Sequence, residues 1–155
     1  MTKARILVID DDPNVLELTQ FHLRRNDFES VVADSATAGI NLLKTQPFDV
    51  VLTDLRLPDL DGMELVRQGK EIAPTTEIIV ITGFSSVGKA VEATKAGAYQ
   101  FVEKPVNYDK LLLMVQQALE RRADRLELKQ LRDRMQLKAF SNIIGSSRAM
   151  QNIYA

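Results

Sequence analysis

Ile6-Leu7-Val8-Ile9-Asp10-Asp11-Asp12-Pro13 is the stretch on which the fold turns. Four apolar, mostly branched residues run without a polar break, as in a strand covered on both faces. Three aspartates stop the run, and Asp12-Pro13 offers a helix cap followed by a first-turn proline. Comparable runs recur every 20 to 28 residues: Ser30-Val31-Val32-Ala33, Val50-Val51-Leu52, Ile78-Ile79-Val80-Ile81 and Tyr99-Gln100-Phe101-Val102. Stretches of helical period lie between them, and Ser35 can cap the one that reaches Lys44. Strand–helix alternation repeated five times predicts an α/β fold, a doubly wound five-stranded parallel sheet with right-handed crossovers.

The chain has 155 residues, 45% hydrophobic and 26% charged, which suits one domain plus an appendage with a real core. Twenty basic against 21 acidic side chains leave a net charge of −1, so global charge points to neither nucleic acid nor membrane. The lack of cysteine excludes a disulfide scaffold, thiolate metal sites and cysteine nucleophiles. A single histidine, His22, excludes a multi-histidine metal centre. The apolar run after Met1–Arg5 is too short for a signal peptide or a membrane span, so a cytoplasmic protein is expected.

Net charge hides an asymmetry. Residues 1–120 carry −6 and residues 121–138 carry +4, while all five prolines and six of seven glycines precede residue 120. Beyond Asn107, Leu112, Val115, Leu119 and Leu126 follow steps of three, four and seven. Leu128, Leu131 and Met135 form a second, out-of-phase set. No proline or glycine interrupts residues 107–140, so one long helix is predicted over about 107–138, with a phase shift near 126–128.

Chemistry-bearing residues gather where the predicted strands end. Asp10, Asp11 and Asp12 close the first strand, Asp54 follows the third, Thr82 ends the fourth, and Lys104 ends the fifth before Pro105. A doubly wound sheet aligns these carboxyl ends along one edge, where ligands bind. Converging carboxylates repel one another unless a cation intervenes, and magnesium accepts carboxylates, a carbonyl and waters. Taken singly, Asp12 reads as a helix cap, and Thr82 and Lys104 as ordinary strand-end residues. Their placement, one per strand end, carries the reading.

Four motifs resemble the response-regulator receiver domains of bacterial two-component signalling. They are residues 6–13, Asp54-Leu-Arg-Leu-Pro-Asp-Leu-Asp-Gly62, Ile79-Val-Ile-Thr-Gly83 and Phe101-Val-Glu-Lys-Pro105. The resemblance covers about residues 4–120 and implies a flavodoxin-like, CheY-like sheet of order 2-1-3-4-5. It implies that Asp54 accepts phosphate from a phosphohistidine on a sensor histidine kinase. It implies that Mg2+ is held by Asp10, Asp11, Asp54 and the backbone carbonyl of Arg56. By the same resemblance Thr82 and Lys104 contact the phosphoryl oxygens, Lys104–Pro105 is cis, and Thr82 with Phe101 forms the switch. Such a domain is regulatory rather than an enzyme in its own right.

Rival readings are weaker. Gly83-Phe-Ser-Ser-Val-Gly-Lys-Ala90 nearly fits a P-loop, but Ala90 lacks the hydroxyl that magnesium requires. Asp10-x-Asp12 resembles the haloacid-dehalogenase phosphatases, yet Asn14 stands where threonine or valine is wanted. The basic stretch 121–138 alternates in sign and lacks aromatic residues for base stacking, which suits a solvated linker helix. Residues 140–153 resemble the opening of the AAA+ ATPase domain in nitrogen-regulatory-protein-C-like (NtrC-like) activators. The expected organisation is therefore a receiver over 1–120, a linker helix able to form a homodimeric coiled coil over 121–139, and the start of a truncated ATPase domain over 140–155. DNA and alternative-sigma RNA polymerase would then be reached only through domains missing from this chain, and no membrane partner is expected. The alternative is a stand-alone receiver acting by protein–protein contacts.

Overall fold

Five strands and five helices alternate along the chain in the computed structural model, which describes residues 3–83 and 87–151. The strands are β1 (Arg5–Ile9), β2 (Glu29–Ala33), β3 (Val50–Thr53), β4 (Glu77–Thr82) and β5 (Gln100–Glu103). The helices are α1 (Pro13–Arg25), α2 (Ala36–Thr45), α3 (Gly62–Ile72), α4 (Val87–Ala96) and α5 (Tyr108–Gln151). All strands are parallel, in the order β2-β1-β3-β4-β5. The α/β reading and the 2-1-3-4-5 order both hold.

Successive side chains of a strand point to opposite faces, and the buried clusters divide accordingly. Leu7, Ile9, Val51, Ile78 and Val80 face a cluster that includes Ile40 and Leu43 of α2, Leu65 and Val66 of α3, and Ala93 of α4. Ile6, Val8, Val50, Leu52, Ile79 and Ile81 face Leu16 and Leu23 of α1 and Leu111, Val115 and Ala118 of α5. Both faces are therefore covered, which is why β1 and β4 read as continuous apolar runs.

Local chemistry sets the helix starts. The Asp12 carboxylate accepts from Asn14 N at 2.9 Å with Pro13 in the first turn, Ser35 Oγ accepts from Ala38 N at 3.1 Å, and Asp61 accepts from Met63 N at 3.0 Å. Gly62 is a requirement of space, because a Cβ there would lie 2.3 Å from the Leu55 Cα.

The chain divides into two units, Met1–Arg122 and Ala123–Ala155, with α5 belonging in part to each. In the first unit the inward stripe of α5 is Leu111, Val115 and Ala118, at 0–1% exposure. Leu112 and Leu119, which the sequence places in one apolar strip with Val115, sit half-buried at the margin of that cluster. This set is consumed by the domain's own core rather than left over for a partner. In the second unit the helix continues through Gln151, beyond the expected end near 138, because no proline stops it and Gly145 is tolerated within a helix. Its described side chains from Glu127 to Phe140 are all exposed. Side chains from Ser141 onward, and residues 152–155 altogether, lie outside the described residues, and with them most of the ATPase-like tail. Among the described residues no helix is long and apolar enough to cross a membrane.

Candidate functional site at the carboxyl edge of the sheet

Strands β1, β3, β4 and β5 deliver the site. Asp10 continues β1, and its amide donates to Ala33 O at 3.1 Å. Asp54 follows β3, its amide donating to Ile9 O at 3.0 Å. Lys104 follows β5, and its amide reaches Thr82 O at 3.0 Å. These bonds extend the sheet ladder by one step, so side chains from four strands start at fixed positions. Asp10 is 3% exposed, Asp54 6% and Thr82 0%, whereas Asp11 is exposed at the rim.

Lys104 Nζ lies 2.9 Å from Asp10 Oδ2 and 2.9 Å from Asp54 Oδ2, bridging the two buried carboxylates. The remaining oxygens are held by backbone: Asp12 N donates to Asp10 Oδ1 at 2.9 Å and Arg56 N to Asp54 Oδ1 at 3.0 Å. Burial pushes the Asp10 carboxyl above its ordinary range, against the Asp12 amide and the Lys104 ammonium. Burial pulls Lys104 down, but hydrogen bonds to Asp54 and Asp10 outweigh it, so the ammonium is held above its usual value.

Asp10, Asp11 and Asp54 each offer a carboxylate oxygen, all within 4.8 Å of one another. Three carboxylates face one ammonium, which leaves an excess of negative charge. An all-oxygen donor set of this kind fits a hard divalent cation such as Mg2+. The Lys104–Pro105 peptide is cis, as expected. Phe101 is half-buried on β5, paired in register with Val80, while Thr82 pairs with Glu103 on the same ladder. Phe84, Ser85 and Ser86 of the P-loop-like stretch lie outside the described residues.

Sequence reasoning overlooked two features. Asp59 accepts hydrogen bonds from Ala36 and Thr37 at the start of α2, yet it stands in a motif quoted only for its neighbours. Arg121 Nε stands 3.2 Å from Glu77 Oε2, and Arg122 donates to Asp49 at 2.8 Å, at the opposite edge of the sheet. The only signal for either was an acidic residue beside a turn or a strand start, which is too common to choose from.

The sequence profile of the response regulator receiver domain matches residues 6–116. The transcriptional regulatory protein GlrR of Escherichia coli (strain K12) is 35% identical over 120 residues, 77% of this chain and 27% of that protein. The transcriptional regulatory protein ZraR of Salmonella typhimurium (strain LT2) is 35% identical over 152 residues, 97% of this chain and 33% of that protein. A crystal structure of a CheY-like response regulator receiver domain protein from Methanospirillum hungatei JF-1 has a TM-score of 0.78 and 31% identity, covering 80% of this chain and 99% of that one. A parallel sheet with this acidic edge, matched along most of its length, defines the class: the chain belongs to the response regulator receiver domain family. GlrR and ZraR are NtrC-like activators, and the chain spans roughly a quarter to a third of their length. Receiver domains are regulatory, interact with histidine kinases and bind Mg2+ at an acidic pocket.

Proposed function

We propose that Asp54 is the phosphoacceptor of this receiver, and that its phosphorylation switches an attached effector. The observation that carries the reading is the meeting of Asp10, Asp11 and Asp54 with Lys104 between two of them. A carboxylate oxygen of Asp54 forms the new P–O bond as the P–N bond of a kinase phosphohistidine breaks. The imidazole keeps the electron pair and takes a proton from solvent. Phosphoryl transfer is loose, so positioning and charge neutralisation supply most of the catalysis. Magnesium, held by Asp10, Asp11, Asp54 and the Arg56 carbonyl, would supply part of that neutralisation. Lys104, already hydrogen-bonded to Asp54, supplies another part, and the Thr82 hydroxyl contributes a hydrogen bond.

The switch follows from the same residues. Thr82 moves toward the phosphoryl group and Phe101 turns inward behind it. Taking such an equilibrium from 1:99 to 99:1 needs about 5.5 kcal/mol of differential binding. Charge-assisted contacts worth about 1.5–3 kcal/mol each, from Lys104 and Thr82, supply much of it.

The effector we propose is the ATP-dependent activator of alternative-sigma polymerase. The likeness to ZraR, which runs through the linker and tail to 97% of this chain, supports that choice. On this reading residues 1–120 are the receiver, 121–139 a dimerising linker and 140–155 the start of the ATPase domain, in a cytoplasmic protein paired with a sensor histidine kinase. The test is incubation with a small phosphodonor and magnesium, followed by peptide mapping. The added mass is expected on Asp54 and is lost in Asp54→Asn. Labelling of another carboxylate, or undiminished labelling of the variant, refutes the assignment.

A further inference from the structure

Asp59 lies in the loop between β3 and α3 and reaches across to another element. Its Oδ1 accepts from Ala36 N at 3.0 Å, and its Oδ2 from Thr37 N at 2.8 Å and from the Thr37 hydroxyl at 2.6 Å. These donors are the first two amides of α2 and the hydroxyl beside them, more than twenty positions away in the chain. The start of α2 is also where a carboxylate is favoured by the helix dipole.

Helix α2 has its own cap, since Ser35 Oγ already accepts from Ala38 N. What Asp59 adds is therefore the attachment of its own loop. Leu57 and Leu60 of that loop pack against the core, and its backbone bonds run within the loop and to Asp54. Arg56 bridges to Asp61 in antiparallel fashion, Gly62 N donates to Leu55 O at 3.1 Å, and Arg56 N donates to Asp54 Oδ1 at 3.0 Å. Asp59 ties this closed loop to the segment after β2, whose Ala33 carbonyl accepts the Asp10 amide. The backbone on which Arg56 sits is thereby referred to the same strand pair as Asp10.

We propose that Asp59 is a positioning residue for metal binding: its three bonds to Ala36 and Thr37 fix the loop so that the Arg56 carbonyl stands ready beside Asp10 and Asp54. The inference rests on the assignment of the Arg56 carbonyl as a ligand. The strength of the tether agrees with the Asp59 carboxyl itself, which the Thr37 hydroxyl and amide hold down at about 2. Outer-shell partners of metal ligands govern affinity by orienting those ligands, and the same logic extends to a carbonyl on a tethered loop.

Mg2+ is titrated into the whole chain and its variants, with backbone amide shifts over residues 54–62 and calorimetry as readouts, well below each melting temperature. Asp59→Ala is expected to weaken Mg2+ binding about tenfold, the low end of what losing an outer-shell partner costs. Thr37→Val leaves every charge in place and removes only the hydroxyl donor, so a smaller weakening of roughly threefold is expected. The double variant should be no weaker than Asp59→Ala alone. An unchanged affinity in Asp59→Ala overturns the tether, and so does an effect confined to Asp59→Ala with Thr37→Val inert, because charge alone would then account for it. A wild type whose amides do not respond to Mg2+ brings down the metal assignment, and the tether with it.

Discussion

At the scale of single residues, Asp59 has a consequence that does not depend on metal. Its carboxyl is lowered from 3.8 to about 2, chiefly by the Thr37 hydroxyl and then by the Thr37 amide. A folded-state value below the unfolded one contributes stability above the unfolded value, and that contribution disappears as pH falls through the folded value. Asp59→Ala should therefore melt below the wild type at neutral pH, with a gap that stays constant down to about pH 4 and closes between there and about pH 2. Melting curves of the two proteins across that range, compared at equal ionic strength, check it. Asp59 is exposed, so the gap will be modest and will shrink with added salt.

At the scale of elements, α5 offers the sharpest contrast between neighbours. Leu111 is 1% exposed in the core that faces α1, and Leu113 is 56% exposed two residues on. Leu111→Ala should cost about 2–5 kcal/mol, the range for emptying a leucine site in a core. Leu113→Ala should stay within about 0.5 kcal/mol, as surface changes do. Urea unfolding of both variants measures the difference, and similar losses would mean that the helix is rotated from the arrangement described. The sequence predicted that α5 exists but not how it is turned. Leucine or methionine occupies four consecutive positions from Leu111 to Met114, so periodicity there selects no single face, and the inward stripe is set by tertiary contact with Ile79 and Ile81. The strands were easier to read. Ile6–Ile9 and Ile78–Ile81 are covered on both faces, and burial of that kind leaves an uninterrupted apolar run. The acidic edge was legible for a related reason, since Asp10, Asp54, Thr82 and Lys104 each stop a run at its carboxyl end. Asp59 and the arginines of α5 were not legible, because none of them stops an apolar run at the carboxyl end of a strand.

At the scale of the whole chain, the unit beginning at Ala123 carries Leu128, Leu131 and Met135 at 45–69% exposure, spaced three and four residues apart. A helix with so exposed an apolar strip gains by pairing, at roughly 25 cal/mol for each Å² of apolar surface removed from water. We expect the chain to dimerise with micromolar affinity, and a truncation ending at Arg122 to be monomeric. Light scattering on both decides it: a monomeric long chain, or equal association of the truncation, would be incompatible with pairing through this helix. The truncation point matters because of the ion pairs at the amino-terminal edge of the sheet. Glu77 is 1% exposed and stands against Arg121, and Asp49 accepts from both Arg122 and the Arg5 amide. Anyone grafting this receiver onto a foreign output module therefore has a splice site chosen by electrostatics. A junction at residue 120 would swap out both guanidinium groups that face Glu77 and Asp49, whereas a junction after Arg122 carries these native counterions along.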